Sequence, residues 1–192
     1  MSELKRITLT TQKQMEIYMN PQRQRLLKTM YIYGEPMTAK QLSDILKISA
    51  SSVSLHIKKL MTLGLIELDH MESIHGIQAK YYRKVPAFVS LEGARDDDLK
   101  EERNVLMDYI MSDIWDGFKK NFHEVGSDIR PETVGDLSTG IVHLSEKDAM
   151  ELYHKIIDFI NSHTEPGENT IPWQVAFLAY PQKLNSGKED QS

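Results

Sequence analysis

The sequence predicts an α+β chain, mainly α, and three observations carry that reading. Helix start and stop signals punctuate residues 20 to 64 at short intervals, two β-branched and aromatic runs follow directly, and a 26-residue stretch without proline begins at Leu99. A chain of 192 residues is long enough to bury most of its unfolded surface, in one medium domain or two small ones. The expected boundary is 86–98, where Gly93 and the acid run Asp96, Asp97, Asp98 separate a strand-like segment from a helical one. This divides the chain into 1–90, 91–185 and a polar, flexible tail at 186–192.

The first part reads as three helices and a hairpin. Asn20 is an N-cap with Pro21 at the first helical position, and Gly34 with Pro36 closes that helix near Tyr33. Thr38 and Gln41 form a capping box that opens a second helix of about two turns, with Leu42, Ile45 and Leu46 inward. After the tight link Lys47-Ile48, Ser49 caps a third helix that turns Val53, Ile57, Leu60 and Met61 to one side and ends at Gly64. Two short helices joined by about three residues, each with one apolar stripe, are the sequence form of a helix-turn-helix. The runs 66–71 and 77–84, linked by a turn at 72–76, add a β-hairpin, and the combination is a winged helix.

The third helix carries the chemistry. At roughly 100° per residue, Ser51, Leu55 and Lys58 lie opposite Val53, Ile57 and Leu60, with Ser52 and Lys59 further round and Ser54 and His56 on the flanks. Small hydroxyls let a backbone approach DNA and bond to phosphates or base edges, and the lysines neutralise phosphate. Leu55 suits a thymine methyl group, or packs against a neighbouring loop or subunit. Thr38, the cap of the preceding helix, is counted with these candidates. From the wing come His75 and Gln78 near the tip, then Lys80 and Arg83 on the returning strand, where Lys80 and Lys84 share one face and Arg83 takes the other. Lysines on an edge strand also serve simply to block aggregation.

The segment Leu46-Lys-Ile-Ser49-Ala-Ser-Ser-Val53-Ser54-Leu-His56-Ile-Lys-Lys-Leu60-Met-Thr-Leu-Gly64-Leu-Ile66 resembles the recognition-helix signature of ArsR-like winged-helix transcriptional regulators. Gly76-Ile-Gln-Ala-Lys80-Tyr81-Tyr82-Arg83 is similar to that family's hairpin, and Asn20 to Leu27 to its opening helix. The likeness covers about residues 15 to 85, and related regulators such as the MarR group share part of it. It implies an operator-binding homodimer, usually a repressor released by a signal, with Ser49, Ala50, Ser51, Ser54, Leu55 and His56 facing the groove. Ala50 sits about 60° from Val53 on the wheel, nearer the core. Leu55 departs from the family, where a polar residue is common. So does the absence of cysteine, because metal-sensing members often carry a Cys-x-Cys pair.

In the second part, Leu99, Leu106, Tyr109, Ile110, Ile114, Phe118 and Phe122 make a broad stripe on one long helix. Pairing with a twofold mate would bury it and suit a palindromic operator; packing on its own domain is the other reading. Ser145 and Asp148 cap a further helix bearing Ala149, Leu152, Ile156, Phe159 and Ile160, between strands expected at 134–144 and 171–180. This strand-helix-strand module would cap the dimer helix. Trp115, Phe118, Phe122, Trp173 and Phe177 are expected as core, the alternative being a pocket for a small apolar effector.

Charge and composition set the remaining bounds. The net charge is −5, yet residues 1–90 hold 13 basic and 7 acidic side chains, or +6, leaving 10 − 21 = −11 for the rest. A basic head calls for an anionic partner. Without cysteine there is no disulfide and no thiolate metal site, and no two of the seven histidines stand at i, i+4 or in a His-x-His pair, so no cofactor or metal is expected. No membrane span and no signal peptide are expected, and a cytoplasmic location follows. No nucleophile elbow, phosphate loop or His-Glu-x-x-His motif points to an enzyme. The expected function is that of a dimeric DNA-binding regulator; the alternative is a winged helix that binds protein.

Overall fold

The computed structural model describes residues 5–74, 76–90, 97–124 and 135–182. In chain order the elements are β1 (Lys5–Thr8), α1 (Gln12–Met19), α2 (Pro21–Tyr33), β2 (Met37–Thr38), α3 (Ala39–Leu46), α4 (Ala50–Thr62), β3 (Ile66–Ile74), β4 (Ile77–Lys84), β5 (Ala87–Ser90), α5 (Lys100–Glu124) and α6 (Glu146–Asn161). No described helix is long and apolar enough to cross a membrane.

The helical punctuation holds in the head. Asn20 accepts from the Arg23 N–H at the start of α2, and Gly34, at φ 73°, donates its N–H to the Met30 carbonyl at the end. Thr38 and Gln41 exchange the two bonds of a capping box, which satisfies N–H groups that the first turn of α3 leaves without helical partners. Lys47 takes a left-handed conformation (φ 58°), and Ser49 then caps α4. Leu26, Met30, Leu42, Val53, Ile57 and Leu60 meet in one core with Leu65 and Ile66. Ile45 and Met61, expected inside, are partly exposed, because the core lies nearer the Leu42–Leu46 and Val53–Leu60 lines.

Four elements of the head, β1, α1, β2 and β5, go beyond the expectation of three helices and a hairpin. α1 opens on a capping box of its own, Thr11 with Gln14. β1 and β5 pair in parallel, Lys5 with Ala87 through Thr8 with Ser90, which ties residue 90 back to the start of the chain. The first hairpin strand is longer and the link shorter than expected, since Ile74 pairs with Ile77, while the second strand keeps its expected bounds. The wing sheet has the order β2-β4-β3, with a bulge between Leu68 and His70 on β3.

α5 forms as expected, but half of its stripe is spent within the chain. Leu106 is fully buried in the core of the head, and Leu99, Tyr109 and Ile110 pack beside it. Arg103 is buried too and meets Asp97 at 2.6 Å. Leu106 is therefore unavailable to a twofold mate while the head is folded, and among the described side chains of α5 the exposed large apolar ones are Val105, Met111 and Trp115.

The C-terminal module differs most. α6 has its Ser145–Asp148 capping box, yet none of its residues is buried. The strands expected at 134–144 and 171–180 do not form in the described residues, because alternation supplies a side-chain pattern while a strand also needs a partner for its backbone. Nor do the aromatics make a core: Trp115, Trp173 and Phe177 are about half exposed, and Trp115 stacks on Phe118 of its own helix, at 5.6 Å. The loop after α6 does dock. Lys84, 5% exposed, donates to the Thr164 carbonyl at 2.9 Å and meets Glu165 at 3.1 Å, with its ammonium 5.3 Å from the centre of the Tyr31 ring. The expected tail at 186–192 lies outside the described residues.

Candidate nucleic-acid interface

α3 and α4 present one edge of the head, and α4 supplies most of it. Its first turn carries a serine cluster: Ser49 accepts from the Ser52 N–H at 3.1 Å, and its hydroxyl lies 2.9 Å from that of Ser51 and 2.8 Å from that of Ser52. These hydroxyls can turn outward to an anion at little cost, because each already has a hydroxyl neighbour to exchange with. Ser51, Ser52, Leu55 and Lys58 are exposed, and Lys59 is half-buried. Leu55, 55% exposed, stands among polar neighbours and packs against no described loop that would hide it.

Other expected contacts are occupied differently. Ser54 donates its hydroxyl to the Ala50 carbonyl at 2.8 Å, and Ala50 is half-buried, in keeping with its place on the wheel. Thr38 is engaged in its capping box, donating to the Gln41 side chain at 2.9 Å. His56 is half-buried, and its Nδ1 is enclosed without a partner. Burial, and secondarily the nearby Arg23 guanidinium, hold its pKa below the ordinary 6.5, so the ring is neutral at pH 7.

Arg23 is the residue that pattern reading missed as a neighbour of this face. It donates through Nε to the Ile17 carbonyl and through Nη2 to the Glu16 carbonyl, the latter at 3.0 Å, which fixes the end of α1 to the start of α2. The charge was visible in the sequence. Its proximity to α4 depends on how α2 crosses α4, and no local spacing encodes that.

The wing is less cationic than its returning strand suggests. Lys80 and Gln78 are exposed, but Lys84 on the same face is buried at the base, and Arg83 on the other face pairs with Glu67 at 2.7 Å and with Asp69 at 3.5 Å. His70 stacks on Tyr81 at 4.4 Å and meets Asp69 at 2.6 Å. Across β3 and β4, Glu67, Asp69 and Glu72 match Lys80, Arg83 and Lys84, so the hairpin carries no net charge. His75, expected at the tip, lies outside the described residues, as does the side chain of Phe122. Among the described residues no three His, Asp or Glu side chains converge on a metal-sized space.

The comparison with known families fits this geometry. Residues 18–69 match the model of a family described as a helix-turn-helix domain, a span that runs from the end of α1 through α2, α3 and α4 into β3. No curated protein matches the chain. The matched segment is thus a helix-turn-helix domain, and β3 and β4 add a hairpin directly to it.

Proposed function

We propose that the chain is a sequence-specific DNA-binding regulator of the ArsR-like winged-helix kind, acting as a homodimer and usually as a repressor. The observation that carries this reading is the exposed face of α4, where Ser51, Ser52, Leu55 and Lys58 stand on the second helix of a matched helix-turn-helix domain. In this reading α4 enters the major groove with its serine turn first, as recognition helices do. Ser49, Ser51 and Ser52 reach phosphate or base edges, and Leu55 meets a thymine methyl group. Lys58 and Lys59 neutralise phosphate, and Lys80 with Gln78 carries the wing to the backbone or minor groove.

The dimer is proposed through the outer side of α5, on Met111, Trp115 and the half-buried Ile114 and Phe118. A twofold arrangement would place two α4 helices about one DNA turn apart. The location proposed is the cytoplasm, the place of such regulators.

Selection of bound sequences from a random duplex pool tests the whole reading. A palindromic motif is expected, with affinity falling steeply as salt rises. Failure to enrich any motif would overturn it in favour of a winged helix that binds protein.

A further inference from the structure

The segment 135–182 leaves many large apolar side chains substantially exposed. Leu137, Ile141, Val142 and Leu144 precede α6, α6 shows Met150, Leu152, Tyr153 and Phe159, and Ile171, Trp173, Val175, Phe177, Leu178 and Tyr180 follow; exposure runs from 37% at Leu152 to 80% at Ile141. At roughly 150–250 Å² for a large side chain, the exposed part is on the order of 1,500 Å². Single exposed leucines are ordinary, but this much exposed apolar area within one segment is what interfaces carry.

Residues 171–180 have a particular chemistry. Ile171, Trp173, Val175, Phe177 and Ala179 recur at every second position, with no charged residue from Ile171 to Tyr180. Among the described residues their backbone groups make no hydrogen bond. Pro172, the second residue of the run, and Pro181, just after it, cannot donate to a ladder, so its continuous set of donors is confined to 173–180. An uncharged run meets its own copy without charge repulsion. The run touches α5 at one point: a Cβ on Gly117 would meet the Gln174 Oε1 at 3.7 Å, two residues from the exposed Trp115.

We infer that residues 171–180 pair with a second copy of this chain, extending the proposed α5 contact into an interface to which each subunit contributes strand, α6 and α5. The occupant follows from area and charge. A stable interface takes about 800 Å² from each partner, which this patch exceeds, and an uncharged strand offers nothing to nucleic acid or to a charged peptide. The inference rests on the dimer proposed above and adds where its strand contacts lie.

The test uses the full chain and a V175E/F177E variant, both followed by sedimentation over a range of protein concentrations and by backbone hydrogen exchange. Both side chains are exposed within one chain, so the variant's head should keep its far-UV spectrum and melting behaviour. The inference expects a wild-type dimer with slow exchange at 173–180 that is lost on dilution to monomer, and association weakened more than about tenfold in the variant. A wild-type dimer with fast exchange at 173–180, or a variant that associates as the wild type does, would overturn the inference and leave the α5 dimer standing. Slow exchange that persists in the monomer would overturn it too. A wild-type monomer at every concentration would remove the dimer itself.

Discussion

In α4, Val53, Ile57 and Leu60 recur at helical spacing and are buried; in α6, Met150, Leu152, Tyr153 and Phe159 are as apolar and remain exposed. Both helices open on a serine cap with the same geometry. The difference is what stands opposite. α4 has α2, α3 and β3 against it, whereas α6 is joined to the head by its following loop, through Lys84 with Thr164 and Glu165. Amphipathic spacing creates a face that must be covered, and the neighbours decide whether one chain suffices.

The largest expected effect that would break this contrast is Leu60→Ala set beside Leu178→Ala. Leu60 is fully buried, so its truncation should cost about 2–5 kcal/mol and lower the melting temperature at every protein concentration. Leu178→Ala should lower it only where the dimer is populated. Equal, concentration-independent losses would show that 171–180 is packed within one chain.

Gly34→Ala probes a place where the C-terminal loop presses on the head. Gly34 is left-handed at φ 73°, and a Cβ there would come within 2.1 Å of Pro166 Cγ. The backbone cost alone is about 1–2 kcal/mol. In a double-mutant cycle read by denaturant unfolding, Pro166→Gly should recover the steric part and leave the backbone part. Full recovery would mean that Gly34 is needed only for room.

The two caps sharpen the contrast more gently. Ser49→Ala should lower global stability by about 1 kcal/mol, since α4 is integral to the core. Ser145→Ala should reduce α6 helicity in far-UV spectra without moving the main unfolding transition. A single transition shifted equally by both changes would place α6 in the same cooperative unit as the head.

The smallest effect concerns His56. Its folded pKa is lowered, first by burial and then by Arg23, so the unfolded chain takes up a proton at about 6.5 before the folded one does. Stability is therefore unaffected by this group above pH 6.5, falls as pH drops below that value, and levels off once the folded midpoint is passed. A nuclear magnetic resonance titration should find the His56 midpoint below 6.5 and moved upward in Arg23→Gln. A midpoint at or above 6.5 in the native protein would contradict the burial of the ring.

Much of the head was legible in the sequence because its signals are local. The pairs Asn20-Pro21, Thr38-Gln41 and Ser49-Ser52 act within one helical turn, and Gly34 ends α2 through its own backbone freedom. α1 had the same legibility, in Thr11 and Gln14, but a polar segment of eight residues gave little apolar periodicity to draw attention to it. The interface candidates were legible as residue types and less so as roles. Ser54, Thr38 and Arg83 have bonding partners within the chain, which a helical wheel or an alternation count does not represent.

The sequence alone determined where helices start and stop, the outward serine, leucine and lysine face of α4, and the uncharged alternation of 171–180, all properties of neighbours within a few residues. Tertiary structure decided that Lys5–Thr8 pairs with Ala87–Ser90, that Leu106 joins the head, that Lys84 is buried beneath Thr164 and Glu165, and that the apolar row of 135–182 is left open. Each of these depends on the free energy of bringing together groups far apart in the chain, where loop closure, desolvation and the supply of a partner surface outweigh local preference.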